Sequence, residues 1–288
     1  MTSEERIKCV LRHEEPDRVP IQGSPWTATV NRWKKEGLPD DIPVEEYFGY
    51  EIVQLGFDCT PLRTYQTARS EGKFINCSSG GGWGYDMLQA YMRPEQLLMA
   101  MADDPDWIRE MILTLADLHL KMMEMMVGKG FKFDGVFVSN DMGYRNGLLF
   151  SPQTYRKTHR EADEMVFSFC HKHNMAVILH SCGDIKELIP DLIEVGIDCL
   201  NPLEVKAGMD IRELKREYAD KLSFMGGIDV RAMANPDPNV IEEEIRSKFE
   251  VAKKGGGYIY HEDHSIPNNV SFEQYKRVME LVKKYGKY

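Results

Sequence analysis

Apolar and polar positions alternate along this chain in two rhythms. Ile7, Val10 and Leu11 recur at helical spacing behind Thr2-Ser3-Glu4-Glu5, where Thr2 as N-cap and Glu5 three residues on make a capping box. Glu15-Pro16-Asp17-Arg18 then turns into Val19-Pro20-Ile21, a short first strand. The pattern predicts a mixed helical stretch over residues 25 to 50, a strand from Ile52 to Phe57, and a hairpin over residues 62 to 90 with a glycine-rich turn from Ser78 to Gly84. From residue 105 the alternation is regular. A helix from Pro105 to Val127 has proline in its first turn and Gly128 after its end. The strand Gly135-Val136-Phe137-Val138 follows, then a helix from Pro152 to His173 capped by Ser151. Next come the strand Ala176-Val177-Ile178-Leu179 and a helix from Ile185 to Val195. Strands at Ile197 to Leu200, Leu222 to Met225 and Tyr258 to Tyr260 are interleaved with helices near 210–219, 238–254 and 271–284.

Short continuous apolar strands between amphipathic helices indicate parallel strands covered on both faces. A barrel and an open doubly wound sheet both produce that pattern. The open sheet's glycine-rich phosphate turn after the first strand is absent. The length of 288 residues suits the roughly 250 of a (β/α)8 barrel. The expected fold is therefore α/β, a TIM-type (β/α)8 barrel forming a single domain over residues 1–288, with an N-terminal helical and hairpin elaboration.

With 42% hydrophobic and 28% charged residues, disorder is excluded as the main state. Thirty-six Lys+Arg against 46 Asp+Glu leave a formal charge of −10, which repels phosphate backbones, so no nucleic-acid partner is expected. No apolar run reaches the roughly 18 residues of a membrane helix. The charged N-terminus lacks a signal-peptide core, which points to the cytoplasm. The six cysteines are then thiols. Cys9, Cys59, Cys77, Cys170 and Cys199 have no adjacent base and read as buried.

Polar groups cluster after the candidate strands: Ser139-Asn140-Asp141, His180-Ser181-Cys182, Asn201-Pro202-Leu203-Glu204, Gly226-Gly227-Ile228-Asp229 and His261-Glu262-Asp263-His264. In a barrel these ends share one rim, where active sites lie. Any one of them could merely start a loop or cap a helix; five together favour function. His180 and Cys182 stand two apart, so both can face one side of a strand. Imidazole plus thiolate suits zinc. A third ligand must come from elsewhere on the rim, and His261-Glu262-Asp263-His264 is the densest supply. Gly80-Gly81-Gly82 lacks the following Lys-Ser/Thr of a phosphate cradle.

The segments EERIKCVLRHEEPDRVP, LLFSPQTYRK, VILHSCGDIKELIPDLIEVGIDCLNPLE, LSFMGGID and GGGYIYHEDHSIPNNVS resemble the uroporphyrinogen decarboxylase superfamily. The likeness covers the first 20 residues and about 133 to 285. Residues 22–130 match poorly and are the expected variable, substrate-side region. The resemblance implies a somewhat distorted barrel with its site at the carboxyl rim. It also implies one of two chemistries. The decarboxylases grip substrate carboxylates with N-terminal arginines, yet no Arg follows Arg18 until Arg32 here. The cobalamin-dependent methyltransferases resemble this chain in a His-x-Cys after a strand, matching His180 and Cys182. Their third zinc ligand falls near His264, with Glu262 the alternative.

That branch implies a methyltransferase using Zn2+ and a corrinoid on a partner protein, with a small O-, N- or S-methyl compound as donor. Asp141 would orient the donor or protonate the leaving atom. Glu204 and Tyr144 are further catalytic candidates, and Asn140, Asn201 and Asp229 are candidate substrate-binding residues. A homodimer is compatible with this reading. The alternatives are a decarboxylase of the porphyrin pathway and a non-catalytic binding protein on the same scaffold.

Overall fold

Thr2 caps the first helix as its spacing predicts: its hydroxyl accepts the Glu5 N–H at 3.1 Å, and the Glu5 carboxylate accepts the Thr2 N–H at 2.8 Å. The structure is a computed structural model and describes residues 1–56, 62–78 and 82–288. Phe57, Cys59, Gly80 and Gly81, which figure in the expectations above, lie outside the described residues. By contact clustering the chain forms two compact units: a split unit, Met1–Ile52 with Asn201–Tyr288, and a continuous unit, Val53–Leu200.

In chain order the split unit begins with α1 (Ser3–Leu11), α2 (Thr27–Lys35) and α3 (Val44–Phe48). The continuous unit runs through β1 (Ile52–Gly56), α4 (Leu62–Ser70), β2 (Phe74–Ser78), α5 (Gly84–Leu88), α6 (Pro94–Asp103) and α7 (Pro105–Gly128). It goes on with β3 (Gly135–Ser139), β4 (Gly143–Tyr144), β5 (Gly147–Leu148), α8 (Pro152–Thr158) and α9 (Arg160–Lys172). It ends with β6 (Ala176–His180), α10 (Ile189–Val195) and β7 (Cys199–Asn201). The split unit resumes with α11 (Ile211–Tyr218), β8 (Ser223–Met225), α12 (Val230–Met233), α13 (Pro238–Ala252), β9 (Tyr258–Ile259) and α14 (Phe272–Tyr285).

The fold is α/β. In the continuous unit the strands neighbour one another in the order β1-β2-β3-β6-β7, and β2–β3 and β3–β6 pair parallel. In the split unit β8 and β9 pair parallel. Val136 and Val138 turn to the helices, beside Trp83, Met123 and Val166, which are all buried. Gly135, Phe137 and Ser139 point the other way, level with Ala176, Ile178 and His180. No helix among the described residues is long and apolar enough to cross a membrane.

Five expectations need correction. The closed eight-stranded barrel is not seen: among the described residues the continuous unit has five neighbouring strands, β1-β2-β3-β6-β7, and the split unit has the parallel pair β8 and β9. Val19-Pro20-Ile21 contributes one bridge, Ile21 to Tyr260, flanked by Tyr260 N–H to Pro20 C=O at 2.9 Å and Gln22 N–H to Tyr260 C=O at 3.1 Å. Pro20 has no N–H, so the ladder cannot lengthen there. The hairpin over residues 62 to 90 is instead α4, β2 and α5; Gly72, at φ 65°, ends the turn after α4. The single helix from Pro152 to His173 is two. Its break lies at His159, a buried residue whose φ of −108° departs from the helical value. The strand expected from Ile197 begins at Cys199.

Candidate metal centre

The parallel register sets Ser139 beside His180, so β3 and β6 end together. Their exit loops stay in contact: the Asn140 N–H donates to the His180 carbonyl at 2.9 Å, and the Met142 N–H donates to the Ser181 hydroxyl at 3.0 Å. The backbone permits a further approach because two glycines meet. A Cβ on Gly183, at φ 85°, would stand 2.3 Å from the Gly143 carbonyl carbon, an impossible contact with main chain.

The loop closure brings three donor groups together. Cys182 Sγ lies 3.5 Å from His180 Nε2, and His180 Nε2 lies 3.7 Å from Asp141 Oδ1. Asp141 Oδ1 also accepts the Cys182 N–H at 2.7 Å. Ordinary zinc–ligand lengths at a tetrahedral angle separate sulfur from nitrogen by about 3.6 Å and nitrogen from oxygen by about 3.4 Å. The observed spacings are close to both. Among the described residues this is the one group of three His, Cys, Asp or Glu whose ligand atoms lie within 4.8 Å of one another. All three side chains are partly exposed, as an open catalytic site requires. β6 ends at His180, so the pair converges through the loop's turn rather than through strand periodicity.

Behind the loop stands α5. Asp86 Oδ2 accepts the Asp141 N–H at 3.0 Å, and Asp86 Oδ1 accepts the Gln89 amide at 3.1 Å. The Asp86 N–H donates to Asn140 Oδ1 at 3.3 Å. Burial raises the Asp86 pKa, while the Asp141 N–H favours the charged form. Trp83 fastens the helix start: its N–H donates to the Ser139 carbonyl at 2.7 Å and its indole donates to Asp163 at 2.6 Å. Asp163, fully buried, also accepts the Tyr155 hydroxyl at 2.6 Å. Burial pushes its pKa up to about 6.

The other expected site residues are placed as follows. In the continuous unit Asn140 is buried, and Tyr144 is 49% exposed on the β4–β5 hairpin. The remainder belong to the split unit. Asn201 donates its amide to the Met225 carbonyl at 3.0 Å. Glu204 pairs with Lys206 at 2.8 Å. Asp229 caps α12 and pairs with Arg231 at 2.7 Å. Glu262 is fully buried and accepts the hydroxyls of Tyr275 at 2.8 Å and Tyr260 at 3.3 Å. His264 meets Trp26 edge-on, ring centroids 6.1 Å apart. Sequence reasoning missed Asp86, Trp83 and Asp163. Reading residues 62 to 90 as a hairpin hid the helix that carries the first two.

Residues 85–285 match the family model described as uroporphyrinogen decarboxylase (URO-D). No curated protein matches the chain. Among solved structures, a methyltransferase from Methanosarcina mazei superposes with a TM-score of 0.73 at 15% identity, over 99% of this chain and 99% of that one, a likeness of fold. The 3-keto-L-gulonate-6-phosphate decarboxylase from Vibrio cholerae reaches a TM-score of only 0.41 at 10% identity, over 94% of this chain and 99% of that one. The family match spans well over half the residues and includes all three clustered donors, so the chain belongs to the uroporphyrinogen decarboxylase family.

Proposed function

We propose that this chain is a zinc-dependent methyltransferase that moves a methyl group from a small O-, N- or S-methyl donor to a corrinoid carried by a partner protein. The observation that supports this reading is the convergence of Asp141, His180 and Cys182. An imidazole, a thiolate and a carboxylate at these spacings form a donor set for zinc with one position left open. Bound zinc supplies Lewis acidity towards the heteroatom of the methyl donor. The residues of the chain hold and orient. Asp141 receives the Cys182 N–H and so keeps the two loops in register. Tyr144 presents an exposed phenol on the adjoining hairpin, within the class of groups that return a proton to a leaving heteroatom. Asp141 thereby takes a ligand role, where the resemblance implied a residue that orients the donor or protonates the leaving atom. This donor set takes its third ligand from Asp141 in place of His264 or Glu262.

A second reading, decarboxylation of a porphyrinogen or a smaller acid, draws on the matched family's own description. Against it, two of the three arginines in the first 20 residues are already engaged by carboxylates, and the third, Arg12, pairs with Glu14 at 2.8 Å. Arg6 pairs with Asp17 at 2.7 Å and with Glu51, and Arg18 pairs with Glu51 at 2.7 Å. None of the three offers an idle guanidinium to substrate carboxylates.

Elemental analysis of the purified protein tests both readings. One zinc per chain, lost in His180→Ala and in Cys182→Ala, together with methylation of added cob(I)alamin from a methyl donor, supports the first. A metal-free protein that decarboxylates uroporphyrinogen overturns it.

A further inference from the structure

The segment Trp83-Gly84-Tyr85-Asp86 is fastened to the loop after β3 more closely than a covering helix needs. Trp83 donates its N–H to Ser139, Asp86 donates its N–H to Asn140, and Asp86 accepts the N–H of Asp141. The last residue of β3 and the first two of the loop after it are thus each gripped by α5 or its N-cap. A glycine makes the approach possible. Gly84 has φ 49°, and a Cβ there would lie 2.9 Å from Asn140 Nδ2 and 2.9 Å from His159 Cδ2. His159 is itself immobilised: the Thr158 hydroxyl gives its proton to the Thr154 carbonyl at 2.8 Å, so at 2.7 Å it accepts from His159 Nδ1. The wall behind Gly84 therefore cannot easily yield.

We propose that Asp86 is a positioning residue of the metal centre: its carboxylate, brought close by Gly84, holds the Asp141 peptide so that the Asp141 side chain stays aimed at His180 and Cys182. The proposal rests on reading those three residues as metal ligands. It deepens that reading by assigning the second carboxylate, which adds no ligand atom of its own but determines where the first one stands. Groups of this kind, bonded to a ligand and not to the ion, change metal affinity by about 10- to 100-fold when removed.

Two measurements on the full chain test this. In metal-free protein, amide hydrogen exchange at Asp141 reports the positioning hydrogen bond directly. Zinc competition against a chromophoric chelator reports its effect on the ion. Asp86→Ala is expected to speed exchange at Asp141 and to weaken zinc binding by about 10- to 100-fold. Asp86→Asn keeps an oxygen able to accept the Asp141 N–H, and is expected to restore slow exchange and near-original affinity. An Asp86→Ala protein with unchanged exchange and zinc affinity overturns the proposal. So does an Asp86→Asn protein as impaired as Asp86→Ala. If the unaltered protein takes no zinc while exchange at Asp141 still follows the expected order, the metal reading fails and the positioning role stands.

Discussion

The Asp141 carboxylate accepts the backbone N–H of Cys182 at 2.7 Å, across two loops that leave neighbouring strands. One oxygen thus serves both the loop's architecture and the donor cluster. Asp141→Ala should weaken zinc binding by more than tenfold and loosen the 181–184 loop. Asp141→Asn keeps an acceptor for the Cys182 N–H but loses the anionic donor, so it should hold the loop and still lose zinc affinity. Chelator competition with hydrogen exchange at Cys182 separates the two effects.

Removing zinc should lower the melting temperature. A ligand present at about 100 times its Kd stabilises the fold by about 2.7 kcal/mol. For a chain of this size that amounts to a shift of roughly 4–5 °C. Melts with excess chelator, and with zinc restored, check it. His180→Ala should show no zinc-dependent shift.

Gly183→Ala should be among the most damaging single-methyl changes in the continuous unit. The new Cβ would meet the Gly143 main chain at 2.3 Å, and φ is 85°, so neither side can give way cheaply. Strain of this kind costs about 1–3 kcal/mol, and the forced parting of the loops adds to it. Urea unfolding measures the loss, and zinc affinity should fall with it.

Asp163 predicts a pH dependence. Its folded pKa of about 6 lies above the ordinary 3.8 because burial penalises the charge. The fold therefore favours the protonated form. The stabilisation, about 3 kcal/mol, is complete below about pH 4 and lost as pH rises through about 6. Asp263, also raised to about 6 by burial, titrates in the same window, so the comparison must be with a variant. The stability difference between the unaltered protein and Asp163→Asn should grow in favour of the unaltered protein as pH falls from 7 to 5.

Glu262→Ala should cost stability rather than zinc. Its carboxylate sits among the Tyr260 and Tyr275 hydroxyls with no solvent exposure; removing it takes the acceptor from the Tyr260 hydroxyl, while the Tyr275 hydroxyl keeps that of Tyr50 at 2.9 Å, so the cost is about 1–3 kcal/mol. A variant that folds but loses its zinc would instead make Glu262 a ligand.

Elements with a strong period and clear caps were legible from residue order alone. α7 was expected from Pro105 to Val127 and spans Pro105–Gly128; α14 begins behind Ser271, whose capping box with Gln274 forms. The polar strand ends were also legible, and with them His180, Cys182 and Asp141. The failures lie where local propensity and tertiary context disagree. Residues 62–70 carry Thr and Tyr, which suit strands, yet bury Ala68 as a helix. The β4–β5 hairpin carries its signal in Asn146-Gly147, a turn pair between strands of only two residues each. Asp86 had none: its role exists only because Gly84 lets a five-residue helix lean on a loop more than fifty positions later.

All three clustered donors come from one uninterrupted stretch of the gene product, whereas Asn201, Glu204, Asp229 and His264 come from the other unit. The donor cluster and the remaining strand-end groups are thus written in separable passages of the chain. A substitution within 201–288 therefore replaces none of the three donor side chains, and one confined to 141–182 replaces none of those four.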